Sequence, residues 1–246
     1  MSSYDTVAMH MSDGIVNAPT SALFGVVAAA GLGYSLFRSR AGRSADLDDR
    51  TAPMAGLVAA FIFAVQMINF PVLPGVSGHL LGGALAAILV GPWLGALCVG
   101  IVLVVQAAFF ADGGLTALGT NITNMALIGT WAGFAVAVAL RRLAFRSRGG
   151  LLTVAFGSAL VNTVVASLGF VMEYAIGGAG GSSLGTVAVA IIGVHILIGI
   201  GEGIITALTV GAVASARPDL VYLLRRSSAG TSTTTTATAT ADGSAS

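Results

Sequence analysis

The sequence predicts an all-α, polytopic membrane protein of about seven transmembrane helices, and three observations carry that prediction. Apolar residues make up 56% of the 246 and charged residues only 9%, whereas soluble domains carry about 25% charged residues. Mean hydropathy is +0.93, far too high for a chain that must coat its surface with solvating groups. Apolar segments of roughly bilayer length, about 17–25 residues, recur along the whole chain.

Taken in order, these segments are residues 15–37, 53–70, 94–110, 118–140, 151–176 and 186–216. A shorter run, 79–90, ends at "GPW" and brings the count to seven. The arginines test the count, because basic residues flanking spans favour the cytoplasmic side. All 11 basic residues are arginines, clustered as Arg38, Arg40, Arg43 and Arg50, then Arg141, Arg142, Arg146 and Arg148, then Arg217, Arg225 and Arg226. Seven spans with the N-terminus outside put every cluster and the C-terminus inside. The loops 71–78, 111–117 and 177–185, which hold no basic residue, then lie outside. Six spans would split the arginines. Since each cluster flanks an apolar segment, topology explains them better than nucleic-acid binding does.

Outside the spans, residues 227–246 are low-complexity Ser/Thr/Ala, too polar to bury and expected to be a disordered cytoplasmic tail. Residues 1–8, "MSSYDTVA", lack the basic region of a secretory signal and read as an extension that the mature protein could lack. Cys98 sits alone in an apolar run and is expected to be a small core residue. Small residues at helical spacing, such as Gly25, Ala29 and Gly33, permit close helix packing, either within this subunit or against a partner.

Polar groups inside spans are costly and therefore candidates for function. The set is His10 and Asp13 before the first span, Gln66 and Asn69 at the end of the second, and His79 opening the third. Gln106 and Asp112 follow, then Asn121, Asn124, Asn162, Glu173, His195 and Glu202. Those near span ends fall mostly on the outer side, which predicts a polar pocket open to the outside. The chain has no lysine, hence no phosphate-binding Walker motif, and no HExxH zinc motif. Any ATP-driven work must be done by another subunit.

The histidines raise a metal argument, because imidazole suits nickel, cobalt, copper and zinc. In "AMHMSDGIVNAP", a mature chain beginning at Met9 would present a free α-amine, the His10 amide nitrogen and the His10 Nδ1. These close fused five- and six-membered chelate rings, with His79 placed to add a fourth nitrogen. An amine with a pKa of about 7.7–8.0 gives up its proton to a metal readily, whereas an interior amide is a far poorer ligand. The amine exists only if translation starts at Met9 or the first eight residues are removed. Without a metal, His10 reads as a solvated interfacial histidine and His79 as a capping or packing residue.

Four ordered blocks resemble the CbiM/NikM family, the substrate-capture membrane subunits of energy-coupling factor (ECF) cobalt and nickel transporters. They are "MHMSDGIVNAP", "INFPVLPGVSGHLLGGALAAILVGPW", "FFADGGLTALGTNITNMALIG" and "HILIGIGEGIITA", and the similarity spans residues 9–220. The resemblance implies seven membrane helices in a prokaryotic cell membrane and capture of Co(II) or Ni(II) as substrate by Met9, His10 and His79. No prosthetic group is implied, and the cargo would serve cobalamin synthesis or nickel enzymes. The implied partners are a transmembrane coupling subunit (CbiQ/NikQ-like), cytoplasmic ATPase subunits (CbiO/NikO-like) and a small accessory membrane subunit (CbiN/NikN-like). Asp13, Asn121 and Asn124 are candidates to orient the ligands. His195 and Glu202, seven apart and so on one helix face, are candidates for the same role and for pairing with each other. Two competing readings remain: an ATP-independent secondary transporter or channel with a proton path through Glu173 and Glu202, and a membrane enzyme, which the missing catalytic set disfavours.

Overall fold

The computed structural model describes residues 10–41, 45–68, 70–73, 76–179 and 181–225. Met9, Asn69, Arg43, Arg226 and the 227–246 tail lie outside the described residues, as does the side chain of Arg50.

The first helix, α1 (Ala18–Ala41), begins where the side chain of Asn17 accepts from Thr20 N at 3.0 Å, the capping that satisfies an orphan helix N–H. Helix α2 (Ala45–Met67) starts well before residue 53, and Pro53 lies inside it. Proline removes one intrahelical bond, but here it falls within two turns of the polar end. A two-stranded antiparallel hairpin follows, β1 (Phe70–Leu73) with β2 (Val76–Gly78), where the sequence suggested only a loop. With the isolated antiparallel bridge between Val16 and Gly178, it departs from the all-α expectation.

The 79–90 segment is only partly helical. Residues 79–82 are irregular, and helix α3 (Gly83–Val90) has eight residues, about 12 Å at 1.5 Å each. Every residue of α3 is buried, with α2, α4, α6, α8 and α9 around it. Helix α3 alone is shorter than a hydrocarbon core of about 30 Å, and it needs no lipid-facing surface because protein surrounds it. Gly91 (φ +90) then reverses the chain into α4 (Pro92–Phe109). In α4, Cys98 is buried against the Ala55 carbonyl, the small core residue expected.

One helical rod, Leu118–Ala139, comprises α5 (Leu118–Asn121), a π segment (Ile122–Gly129) and α6 (Thr130–Ala139). The short α7 (Arg141–Arg146) precedes α8 (Arg148–Gly177) and α9 (Leu184–Ala216). Ser147 and Ser183 cap α8 and α9, accepting from Gly150 N at 3.0 Å and Thr186 N at 3.2 Å. Among the described residues, five helices are long and apolar enough to cross a membrane, and the apolar part of α2, Thr51–Met67, is shorter.

The bundle has two chemically distinct ends. At one, Arg38 lies 5.5 Å over the Trp93 ring, Trp93 packs edge-on to Trp131 at 4.3 Å, and Arg141 binds the carbonyls of Leu223 and Arg225. The N-terminal segment, the 110–117 loop, residues 79–82 and the C-terminus of α8 meet at the other end.

Candidate metal centre

The N-terminal segment is held there strand-like by side chains. The amide of Asn121 clamps the backbone of Met11, its Oδ1 accepting from Met11 N at 2.8 Å and its Nδ2 donating to Met11 O at 3.1 Å. Gly114 N donates to the same carbonyl at 3.0 Å. On the other flank, Asn17 N donates to Gly177 O at 2.7 Å and Ala179 N to Ile15 O at 2.9 Å. Asp13 accepts from the Thr116 amide at 2.8 Å and the Thr116 hydroxyl at 2.5 Å. These bonds hold its carboxyl below the usual 3.8, with the hydroxyl first in weight. Asp13 therefore fastens the segment to the loop and does not reach the histidines.

This clamp carries His10 inward until its side chain is 2% exposed. Its Nδ1 donates to Asp112 Oδ1 at 3.0 Å, and that bond holds the Asp112 carboxyl below its ordinary range against the opposing effect of burial. Ala111, the one non-glycine with positive φ (+51) among the described residues, turns the chain just before Asp112. Gly113 (φ +91) follows, and a Cβ there would come within 3.1 Å of His10 Cβ. The loop approaches so closely only because residue 113 lacks a side chain.

His79 arrives from the opposite side, also 2% exposed, and the two rings lie 4.4 Å apart, centroid to centroid. His79 Nδ1 donates to Leu80 O at 2.9 Å, which places the proton on Nδ1 and leaves the Nε2 lone pair free. Both Nε2 atoms, of His10 and His79, are buried without a hydrogen-bond partner. A buried polar atom left unpaired costs about 1–3 kcal/mol, and two on neighbouring rings mark a place built for a ligand. The polar pocket open to the outside is not found around the two histidines, because both imidazoles are buried. No group of three His, Cys, Asp or Glu side chains surrounds one point among the described residues. Side chains alone thus supply two imidazoles here.

The irregular segment bearing His79 is fastened by three helices. Glu202 of α9 accepts from Leu81 N at 2.9 Å and Gly82 N at 3.0 Å. Asn162 and Thr163 of α8 complete its shell at 3.0 and 2.8 Å, and Gln66 of α2 donates to Leu81 O at 2.6 Å. Irregular backbone at membrane depth is tolerated when its groups are satisfied by protein, and these residues satisfy it. Glu202 does not pair with His195, correcting that expectation: His195 Nδ1 instead donates to Ile191 O, four residues earlier, at 2.7 Å. Asn124 makes no hydrogen bond to a histidine among the described residues and donates to Glu173 at 2.7 Å. Sequence reasoning did not single out Asp112 or Gln66 as supports, although both sit at span ends on the histidine side, the one signal available.

These features define a polytopic helical membrane protein with a buried histidine pair at one end. The model of the CbiM family, described as the cobalt uptake substrate-specific transmembrane region, matches residues 10–220, and the chain belongs to that family. A putative fused nickel transport protein NikMN of Archaeoglobus fulgidus is 40% identical over 214 residues, covering 87% of this chain and 68% of that protein. A cobalt transport protein CbiM of Sorangium cellulosum is 29% identical, covering 88% and 96%. A crystal structure of a transition metal transporter shares the fold, with a TM-score of 0.72 at 23% identity over 85% of this chain and 93% of that one.

Proposed function

We propose that this chain is the metal-capture component of an ATP-driven ECF-type importer, taking Co(II) or Ni(II) from outside the cell. The observation that carries the reading is the pair of buried imidazoles 4.4 Å apart, of which His79 offers an unpartnered Nε2. Borderline metals favour such nitrogen donors, and two of them leave room for the Met9 amine and the His10 amide nitrogen to complete a planar set. Chelation through His10 Nδ1 exchanges its hydrogen bond to Asp112 for the ion. Asp112 then stays beside the site as a compensating carboxylate. With no nucleotide motif in the chain, the energy comes from ATPase subunits through a coupling subunit. The fused NikMN relative supports a small NikN-like partner.

The reading includes seven spans, with the N-terminus outside and the C-terminus in the cytoplasm. The chain's course supports it. Helices α1, α2, α4, the 118–139 rod, α8 and α9 alternate between the histidine and arginine ends, and the buried 79–90 segment makes the seventh pass. The test is uptake of Co(II) and Ni(II) by cells expressing His10→Ala or His79→Ala at normal membrane levels. Both variants are expected to lose uptake, and normal uptake in both would sink the proposal. Uptake that survives without ATPase subunits and collapses with the proton gradient would favour a secondary transporter.

A further inference from the structure

Behind the His79 segment lies a small cavity of about 10 Å³, lined by Leu81, Asn121, Asn124, Phe170 and His195 among others. It has room for about one water molecule or one dehydrated cation. Two of its walls carry donors that nothing else uses. His195 Nδ1 donates to Ile191 O, so its proton is on Nδ1 and its Nε2 is a lone-pair donor, the arrangement seen in His79. Among the described residues, no hydrogen bond reaches that Nε2. The Asn124 amide donates through Nδ2 to Glu173, while its Oδ1 is buried and unpartnered, in a residue only 5% exposed. Glu173 Oε1, just behind the amide, is also buried without a partner.

We propose that His195 and Asn124 form a second, weaker station for the transported divalent cation, one step inward from His10 and His79. The proposal rests on the capture reading and adds a route to it. Leu81, two residues from His79, lines the cavity, and the clamp residue Asn121 lines it as well. The cavity and the histidine pair thus share the 79–82 segment and Asn121 as common walls and supports. The cavity's donors are one imidazole nitrogen and one amide oxygen, with Glu173 hydrogen-bonded to the same amide. That set binds a borderline cation less tightly than several nitrogens do, and a conducting pathway needs a step from which the ion can leave. The π segment (Ile122–Gly129) carries Asn124, and π-bulges often occur at functional sites because they re-aim side chains off the regular helical register.

The test is a titration of the full chain in detergent with CoCl₂ alone, followed by visible absorption and equilibrium dialysis. The wild type is expected to bind two equivalents, the second at least ~100-fold weaker. His195→Gln should keep the tight equivalent and lose the weak one, and Asn124→Asp should tighten the weak one ~10-fold by adding a carboxylate. A single equivalent in the wild type, with the cavity holding only water, overturns the station. So does His195→Gln retaining both equivalents or losing both, or Asn124→Asp leaving the weak equivalent unchanged. The capture reading fails separately, if His79→Ala keeps the tight equivalent.

Discussion

The two ends of the bundle use their polar groups in opposite ways. At the arginine end, charged groups find partners nearby: Arg141 holds the 223 and 225 carbonyls, Arg38 covers Trp93, and Arg217 pairs with Asp219 at 2.7 Å. These contacts are mostly at the surface, where ion pairs contribute about 0–1 kcal/mol, and they suffice to fasten a terminus and mark an interface. At the histidine end, the polar groups are buried and an extensive network of bonds leaves selected atoms unmatched. Buried atoms of His10, His79, Asn124 and Glu173 have no hydrogen-bond partner, and neither do single atoms of the supporting Gln66 and Asn162. An end that is merely structural closes its hydrogen bonds, whereas one that awaits a ligand keeps some open at a cost in stability.

That contrast can be broken most forcefully at Glu202. Glu202→Ala orphans two backbone amides and an asparagine amide, each costing about 1–3 kcal/mol. We expect a large loss of folded protein, read as thermal unfolding in detergent. Glu202→Gln, which keeps one carbonyl acceptor, should fall between that variant and wild type. Equal stability of all three would show that the His79 segment does not depend on this clamp. Next in size is Asn121→Ala, which frees the Met11 backbone from both of its amide bonds. Residues that orient metal ligands typically affect affinity by 10–100-fold, so Ni(II) binding should weaken by about that factor while the fold persists. Smallest is Arg141→Ala at the opposite end. It should loosen residues 223–225, detected by faster proteolysis there, and leave metal affinity within about twofold. A large loss of metal binding in that variant would mean that the two ends are not separable.

Much of this arrangement was legible in the residues. Span lengths and arginine placement located six of the helices to within a few residues, apart from the early start of α2. His10, His79 and Asn121 were singled out and come together. The rest depended on tertiary contacts that leave no periodic signal. The helix α3 is too short and too small in its side chains (GALAAILV) to reveal that it is wrapped by protein and never meets lipid. His195 and Glu202 share a helix face, but Glu202 turns to the exposed amides of a segment 120 residues away, since a buried carboxylate is better satisfied by several N–H donors than by one neutral imidazole. The π segment could not be anticipated either, because its register is set by packing and not by local propensity.

The central claim is that the buried histidine pair captures the transported ion together with the Met9 amine. The most direct measurement is X-ray absorption on Ni(II)-loaded full-length protein whose N-terminus has been established by intact mass. The account predicts a chain beginning at Met9 and a planar first shell of nitrogens only, two of them from imidazoles. A chain that retains residues 1–8 yet shows the same planar shell would remove the amine from the mechanism, and an oxygen-dominated octahedral shell would contradict the site itself.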